Sequence, residues 1–239
     1  MPQEVKLKDG SVTHDGRLDR VIQFDPRSRS YPICSAEDAD KPLRSYTWRC
    51  LQWLDQGYEG SCVGHAIAHE LAARPSEVPM SHEYARNQIY FEAQKIDPWD
   101  GGAYPGAVPF YEGTSVLAGV KVGYKLGWFD SYRWAFGLRD LQLGVGYNGP
   151  AVIGIPWYEG MCWPDREGFI HPEGERVGGH AILCNAISVK NGRFTLHNSW
   201  GQNWGMNGDC YIKFEDMERL LHERGEAVFM LHRHSKAQP

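Results

Sequence analysis

Three stretches of this chain have residue types and spacings suited to nucleophilic chemistry with acid–base assistance. The first is Gln56 to His65, Gln-Gly-Tyr-Glu-Gly-Ser-Cys-Val-Gly-His. Gly57 and Gly60 free the backbone for a tight turn. Ser61 fits an N-cap, whose hydroxyl accepts from an open helix amide. Val63, Ala66, Ile67 and Leu71 then fall at helical spacing, predicting an amphipathic helix from Ser61 to about Arg74, before Pro75. That start puts the Cys62 sulfur at the positive end of the helix dipole, where the nucleophilic thiolate is favoured. Gln56 lies on the turn, where its amide can be aimed at the sulfur's reaction partner. Taken alone, the stretch fits a buried structural cysteine equally well, because free Cys is among the most buried residue types.

A nucleophile of this kind needs a base, and the base needs an orienting group. In Gly178-Gly179-His180-Ala181-Ile182-Leu183, a histidine opens an apolar strand after two glycines. His180 is thereby placed to face a cleft, take the Cys62 proton and later protonate a leaving group. The chain has 10 histidines, so a surface or structural role is the simpler reading of His180 by itself. The third stretch is Asn198-Ser199-Trp200-Gly201-Gln202-Asn203-Trp204-Gly205-Met206-Asn207-Gly208. The Asn198 side-chain oxygen can accept from the His180 ring and fix its tautomer, while Trp200 can cover that bond and exclude water. Without such a bond, Trp200 and Trp204 are simply core residues.

The elements that must carry these groups fall into two textures. Residues 1 to about 43 are polar and carry turn or extended signals at Asp25-Pro26 and Tyr31-Pro32, which suggests an arm on the surface of the fold. A second helix is expected from Ser81 to about Gln94. Asp97 to Gly113 is rich in Gly and Pro and must be a loop, a feature often functional in compact domains. Thr114 is expected to cap a helix ending near Gly127, and residues 137–147 to form a short one. From Pro150 the pattern changes to strands at about 151–155, 180–187, 193–198, 210–214 and 227–231, with a helix at 215–222. Helices first and strands second make an α+β pattern with two lobes.

Composition narrows the function classes. Hydrophobic residues are 42% and charged residues 23%, ordinary for a folded domain and unlike a disordered chain. The net charge of −5 gives no electrostatic footprint for nucleic acid. No apolar run reaches the roughly 20 residues of a membrane span, and Met1 to Gly10 lacks a secretory h-region. The 6 cysteines show no CxxC spacing, so a zinc knuckle is not expected. With Cys62 set aside as a nucleophile, the rest cannot all pair, which points to reduced thiols and an intracellular setting.

Together these residues resemble the papain (C1) family of cysteine peptidases, in its divergent bacterial or viral form. The resemblance rests on Gln-Gly-x-x-Gly-Ser-Cys at 56–62, Gly-His-Ala at 179–181 and Asn-Ser-Trp-Gly-x-x-Trp-Gly-x-x-Gly at 198–208, in the family's order, and covers about residues 45–232. It extends weakly to Glu112-Gly113-Thr114-Ser115. It implies a helical lobe (about 55–148) and a β-barrel-like lobe (about 149–232) within a catalytic domain at 44–239, preceded by an extension at 1–43. It further implies a Cys62 nucleophile, a His180 base and acid, an Asn198 orienting group, and an oxyanion hole made by Gln56 and the Cys62 amide. Gly113 would pair with substrate backbone, and Gly154 and Ala181 would line a pocket open to bulky apolar side chains, with Trp200 nearby. A peptide or protein substrate is expected, with no cofactor and no metal.

Three departures matter. Val63 replaces the usual aromatic residue after the nucleophile. Glu59 replaces a cysteine that is disulfide-bonded in secreted members, and as a carboxylate near the cut it would favour a basic side chain there. Too few residues precede Gln56 for the usual inhibitory pro-segment, so latency would be handled differently or not needed. His65 and His69, spaced i, i+4 beside Glu70, suggest zinc but lack a third ligand. His65, on the same helix as Cys62, is the lesser candidate base. Rival functions are hydrolysis or acyl transfer on a non-protein amide, an inactive binding module, and a structural or assembly protein.

Overall fold

The helix signal at Cys62 and the strand signals after Pro150 are both realised in a computed structural model, which describes residues 4–38 and 40–235. Residues 1–3 and 39 of the expected extension, and 236–239 at the end of the expected catalytic domain, lie outside the described residues. The N-terminal segment contributes three short strands, β1 (Val5–Lys6), β2 (Val12–Thr13) and β3 (Arg20–Val21). After β4 (Tyr46–Thr47) comes helix α1 (Cys62–Ala72). A continuous helical run then follows as α2 (His82–Tyr84), a π-helical stretch at Ala85–Tyr90 and α3 (Phe91–Ile96). Ser81 caps it as expected, its hydroxyl accepting from the Tyr84 amide.

Next come β5 (Thr114–Ser115), α4 (Val116–Lys125), β6 (Phe129–Ala135) and α5 (Leu138–Tyr147). Strands β7 (Ala151–Tyr158), β8 (Arg176–Ser188), β9 (Arg193–His197) and β10 (Asp209–Lys213) follow, then α6 (Phe214–His222) and β11 (Glu226–Arg233). The main sheet has seven strands in the order β10-β9-β8-β7-β11-β6, with β4 also on β8, and every pairing is antiparallel. This is the expected α+β papain-like architecture.

Strand alternation explains how the sheet holds the helices. Val152, Ala181, Leu183, Val228 and Met230 join the core formed with α1 and α4. Their neighbours Ala151, Ile153, Ile182, Cys184, Ala227 and Phe229 point the other way, into a second core with α5 and α6. Both faces are covered, so the strands read as nearly continuous apolar runs. The alternation bears on the site's geometry, because Ala181 packs toward α1 while its neighbour His180 lies against Trp157 and Trp200.

Four local expectations change. All eleven residues of α1 are buried, so it is a central helix and not an amphipathic surface one. Its polar residues are held by distant partners: Glu70 accepts from Arg233, His69 from the Leu54 amide, and His65 pairs with His82 at 2.9 Å. These contacts also occupy the side chains that suggested zinc. Helix α4 is capped by Ser115, whose hydroxyl accepts from the Ala118 amide, while Thr114 lies in β5 and donates to Asp97. Strand β6 was not legible, because its centre Ser131-Tyr132-Arg133 is only half-buried. Finally, the N-terminal segment does not lie wholly on the surface: Leu18, Asp19, Arg20 and Val21 are buried, β3 pairs in parallel with β5, and Asp19 bridges to Gly179.

Candidate active site

Cys62 opens α1 and is fully buried. The expected Ser61 cap is not made: among the described residues the Ser61 hydroxyl has no partner, and the Cys62 amide donates instead to the Asp19 carboxylate at 3.4 Å. An acidic group at a helix N-terminus is favoured by the open amides and the dipole. The Cys62 sulfur accepts from the Ala181 amide at 3.3 Å. That bond ties α1 to β8 beside His180. The thiolate expected at a helix start is not favoured here, because burial and the Asp19 carboxylate push the thiol's pKa well above its ordinary value.

His180 Nε2 lies 2.8 Å from Asn198 Oδ1. The Ser199 amide donates to the same oxygen at 2.8 Å, which fixes the orientation of the Asn198 amide. An amide oxygen only accepts, so Nε2 carries the ring proton and Nδ1 of the neutral ring holds a free lone pair. Among the described residues Nδ1 has no hydrogen-bond partner. Burial holds the His180 pKa down at about 4, partly offset by the Asn198 bond. The Trp200 ring sits 5.0 Å from the His180 ring, and Trp157 meets it edge-on at 4.8 Å. Trp157 is a wall that sequence reasoning missed, hidden in a generic apolar strand.

Gln56 is fixed by a partner also missed in the sequence. The Ser199 hydroxyl donates to Gln56 Oε1 at 2.6 Å, leaving Nε2 to donate to Glu59 O at 2.8 Å and Arg17 O at 3.4 Å. Ser199 lay inside the Asn-Ser-Trp motif, but nothing there says which residue it holds. The Glu59 carboxylate is matched by Arg86 at 2.7 Å, so it is not the free acid expected near the cut.

The N-terminal segment fills the space in front of these groups. Arg17 lies 4.2 Å over the Trp200 ring and pairs with Asp15, while Leu18 packs into the second core. Gly113 borders the segment, and a Cβ there would meet Asp19 O at 2.5 Å. Yet its amide donates to the Tyr90 hydroxyl at 3.0 Å and its carbonyl accepts from Gln94 at 2.9 Å. The backbone that pairs with the segment is Glu112, Thr114 and Ser115, on either side of Gly113. Ala181 and Gly154 are paired across β7 and β8, as neighbours in one wall. The space beside Gly154 is not an open apolar pocket. It holds the Arg20 guanidinium, which donates to Glu226 Oε1 at 2.5 Å.

The fold and the site define a papain-like protein, with a cysteine at the start of a central helix and an Asn-held histidine on the facing sheet. No family model matches the chain. An uncharacterized peptidase C1-like protein of Acanthamoeba polyphaga mimivirus is 20% identical over 205 residues, 67% of this chain and 63% of that protein. A viral cathepsin of Spodoptera litura multicapsid nucleopolyhedrovirus is 25% identical, over 82% of this chain and 66% of that one. The chain thus spans less than two thirds of these relatives' length. Xylellain, a cysteine protease from Xylella fastidiosa, superimposes with a TM-score of 0.69 at 16% identity, covering 97% of this chain and 98% of that one. The chain thus has the papain-like fold and is similar in sequence to C1-like and cathepsin peptidases of viruses.

Proposed function

We propose that the chain hydrolyses peptide bonds with Cys62 as nucleophile, His180 as base and acid, Asn198 as orienting group, and Gln56 with the Cys62 amide as oxyanion hole. On this reading 44–239 is the catalytic domain and the described form is a latent one, with the extension at 1–43 seated in its cleft. One observation carries the reading. The two donors that would hold an oxyanion, Cys62 N and Gln56 Nε2, both already face oxygens of the segment, Asp19 Oδ1 and Arg17 O.

With the segment out of the cleft, a peptide carbonyl takes the place of those oxygens. The Cys62 proton passes to the free Nδ1 of His180, and the sulfur forms a bond to the carbonyl carbon. Negative charge develops on the carbonyl oxygen against Cys62 N and Gln56 Nε2, a contribution on the order of 10² to 10³ in rate for one such donor. The C–N bond breaks as the imidazolium returns its proton to the amine, leaving a thioester. Water, deprotonated by His180, releases the acid and restores the thiol. Asn198 holds the ring plane throughout, and Trp157 and Trp200 keep water from the His180–Asn198 bond.

The test is product analysis on an unfolded protein substrate, using wild type and Arg20→Ala, which loosens the seated segment. New peptide N-termini are expected, and none with Cys62→Ala or His180→Ala introduced into Arg20→Ala. Folded Arg20→Ala protein that yields no new termini contradicts the reading.

A further inference from the structure

The peptide unit between Ser61 and Cys62 carries the Cys62 N–H at one end and the Ser61 carbonyl at the other. The unit is planar and rigid, so whatever fixes the carbonyl also aims the N–H. The Ser61 hydroxyl gives no help, having no partner among the described residues. One residue holds the carbonyl twice: it accepts from the His65 amide at 3.1 Å, the ordinary helical bond, and from His65 Nδ1 at 2.9 Å. A carbonyl only accepts, so Nδ1 carries the ring proton. Nε2 of His65 is then a lone pair, and it accepts from Nδ1 of His82 at 2.9 Å. Burial holds the His65 pKa down at about 4, which keeps the ring neutral. Gly64 lets the second helical run come this close: a Cβ there would collide with the Ala85 carbonyl and lie 2.8 Å from Tyr90 Cβ.

We propose that His65 is a positioning residue for the reaction at Cys62: its ring N–H, with the tautomer set by His82, orients and polarises the Ser61–Cys62 peptide so that Cys62 N is a strong oxyanion donor. The proposal rests on the peptidase reading. Both ring nitrogens are engaged, so His65 is no base for Cys62 and leaves that work to His180. A hydrogen bond to a peptide oxygen draws charge toward it and makes the N–H at the far end of the unit a better donor. The benefit grows as charge builds on the substrate oxygen, so it acts on the transition state more than on the bound substrate. In the closed form this N–H already faces the cleft, where it meets Asp19 Oδ1 at 3.4 Å. The i, i+4 spacing of His65 and His69 hides the role in the sequence, because the partner that sets the His65 ring lies 17 positions away.

The experiment uses the full chain as Arg20→Ala, the opened reference, and the same chain with His65→Leu or His65→Asn. Leucine keeps the site apolar and removes both ring bonds, whereas an asparagine amide N–H reaches the Ser61 carbonyl from the place of Nδ1. Each chain is characterised by kcat and KM on a peptidyl aminocoumarin, by the Ki of a peptidyl aldehyde, and by the rate of Cys62 alkylation by a peptidyl epoxide. The aldehyde carbon bonds to the Cys62 sulfur, the thiol proton passes to the carbonyl oxygen, and that oxygen lies against Cys62 N. The epoxide is opened at a ring carbon, and its oxygen departs from that carbon without entering the same position. With His65→Leu, kcat should fall about tenfold with KM within about twofold, less than for a deleted donor because the residue-65 amide still holds the carbonyl. The aldehyde should weaken by the same factor while alkylation stays within about twofold, and His65→Asn should recover most of the loss. Should His65→Leu not fold, His65→Phe serves, filling the volume of the ring. Unchanged kcat in His65→Leu overturns the proposal. So does a parallel loss of aldehyde binding and alkylation, the mark of general damage, or a loss that His65→Asn does not recover. Each of these leaves the peptidase reading standing. No cleavage and no adduct in the Arg20→Ala reference overturns the peptidase reading and the positioning role with it.

Discussion

Removal of one side chain, Arg20→Ala, tests whether the seated segment governs access to Cys62. The Arg20–Glu226 pair is buried on both sides, with its shortest bond at 2.5 Å. Deleting one partner of such a pair costs about 3–5 kcal/mol, because the other charge is left uncompensated in the interior. That penalty falls mainly on the closed form, since Glu226 is hydrated once the segment leaves. At about 1.4 kcal/mol per decade, the closed-to-open equilibrium shifts by on the order of 10² to 10³. The assay is the pseudo-first-order rate of Cys62 modification by a peptidyl epoxide, read by intact mass, with urea unfolding run alongside. The reaction should accelerate by on the order of 10²-fold while the protein stays folded. A rate within threefold of wild type at unchanged stability refutes the argument, since the ion pair then does not hold the cleft shut.

Other substitutions probe separate parts of the account. Gln56→Ala in Arg20→Ala should lower kcat by on the order of 10² to 10³ with little change in KM, and Ser199→Ala should do the same to a smaller degree by freeing the Gln56 amide. Burial, reinforced by the Glu112 charge, pushes the Asp19 pKa well above its usual value in the closed form. The carboxylate therefore opposes seating above the ordinary carboxylate range, and seating strengthens as pH falls. Cys62 labelling should then rise with pH in wild type, beyond the rise of thiol reactivity seen in Asp19→Asn. His197 donates from Nδ1 to Asp209 at 2.6 Å and from Nε2 to Gln52 O at 2.7 Å. Both partners are acceptors, so the ring is a buried imidazolium whose pKa is raised to about 10. A raised pKa stabilises the fold fully below the ordinary histidine range and stops doing so as pH passes about 10. His197→Leu should thus cost about 2–3 kcal/mol in urea unfolding at neutral pH, with the difference from wild type shrinking as pH rises from the ordinary histidine range to about 10.

The groups proposed to react were legible in the sequence because chemistry restricts them to a few residue types beside recognisable turns. Cys62 after two glycines, His180 at a strand mouth and Asn198 at a strand end are local patterns; the structure sets the Cys62 sulfur on the Ala181 amide next to His180 in sequence, and the His180 ring on Asn198. What supports them was not legible. Alternation along β7, β8 and β11 says that residues are apolar, not which face meets α1. The burial of α1 depends on Glu70 meeting Arg233 and His69 meeting the Leu54 amide, partners that no local pattern names. The N-terminal segment reads as a polar arm because Asp19 and Arg20 are charged, and charged residues are rarely buried without partners. Their partners, Cys62 N and Glu226, are remote in sequence. Thr114 and Ser115 differ by one position in cap and strand roles, a distinction that composition does not carry.

The most direct measurement is the intact mass of the folded Arg20→Ala chain after a peptidyl epoxide at mildly acidic pH, beside the same chain with Cys62→Ala or His180→Ala. The account predicts a single adduct on Arg20→Ala, none with Cys62→Ala, and a strongly slowed one with His180→Ala. An unmodified Arg20→Ala chain, whose other cysteines still react with general alkylating agents, would contradict it, since Cys62 would then be neither activated nor served by a peptide-shaped cleft.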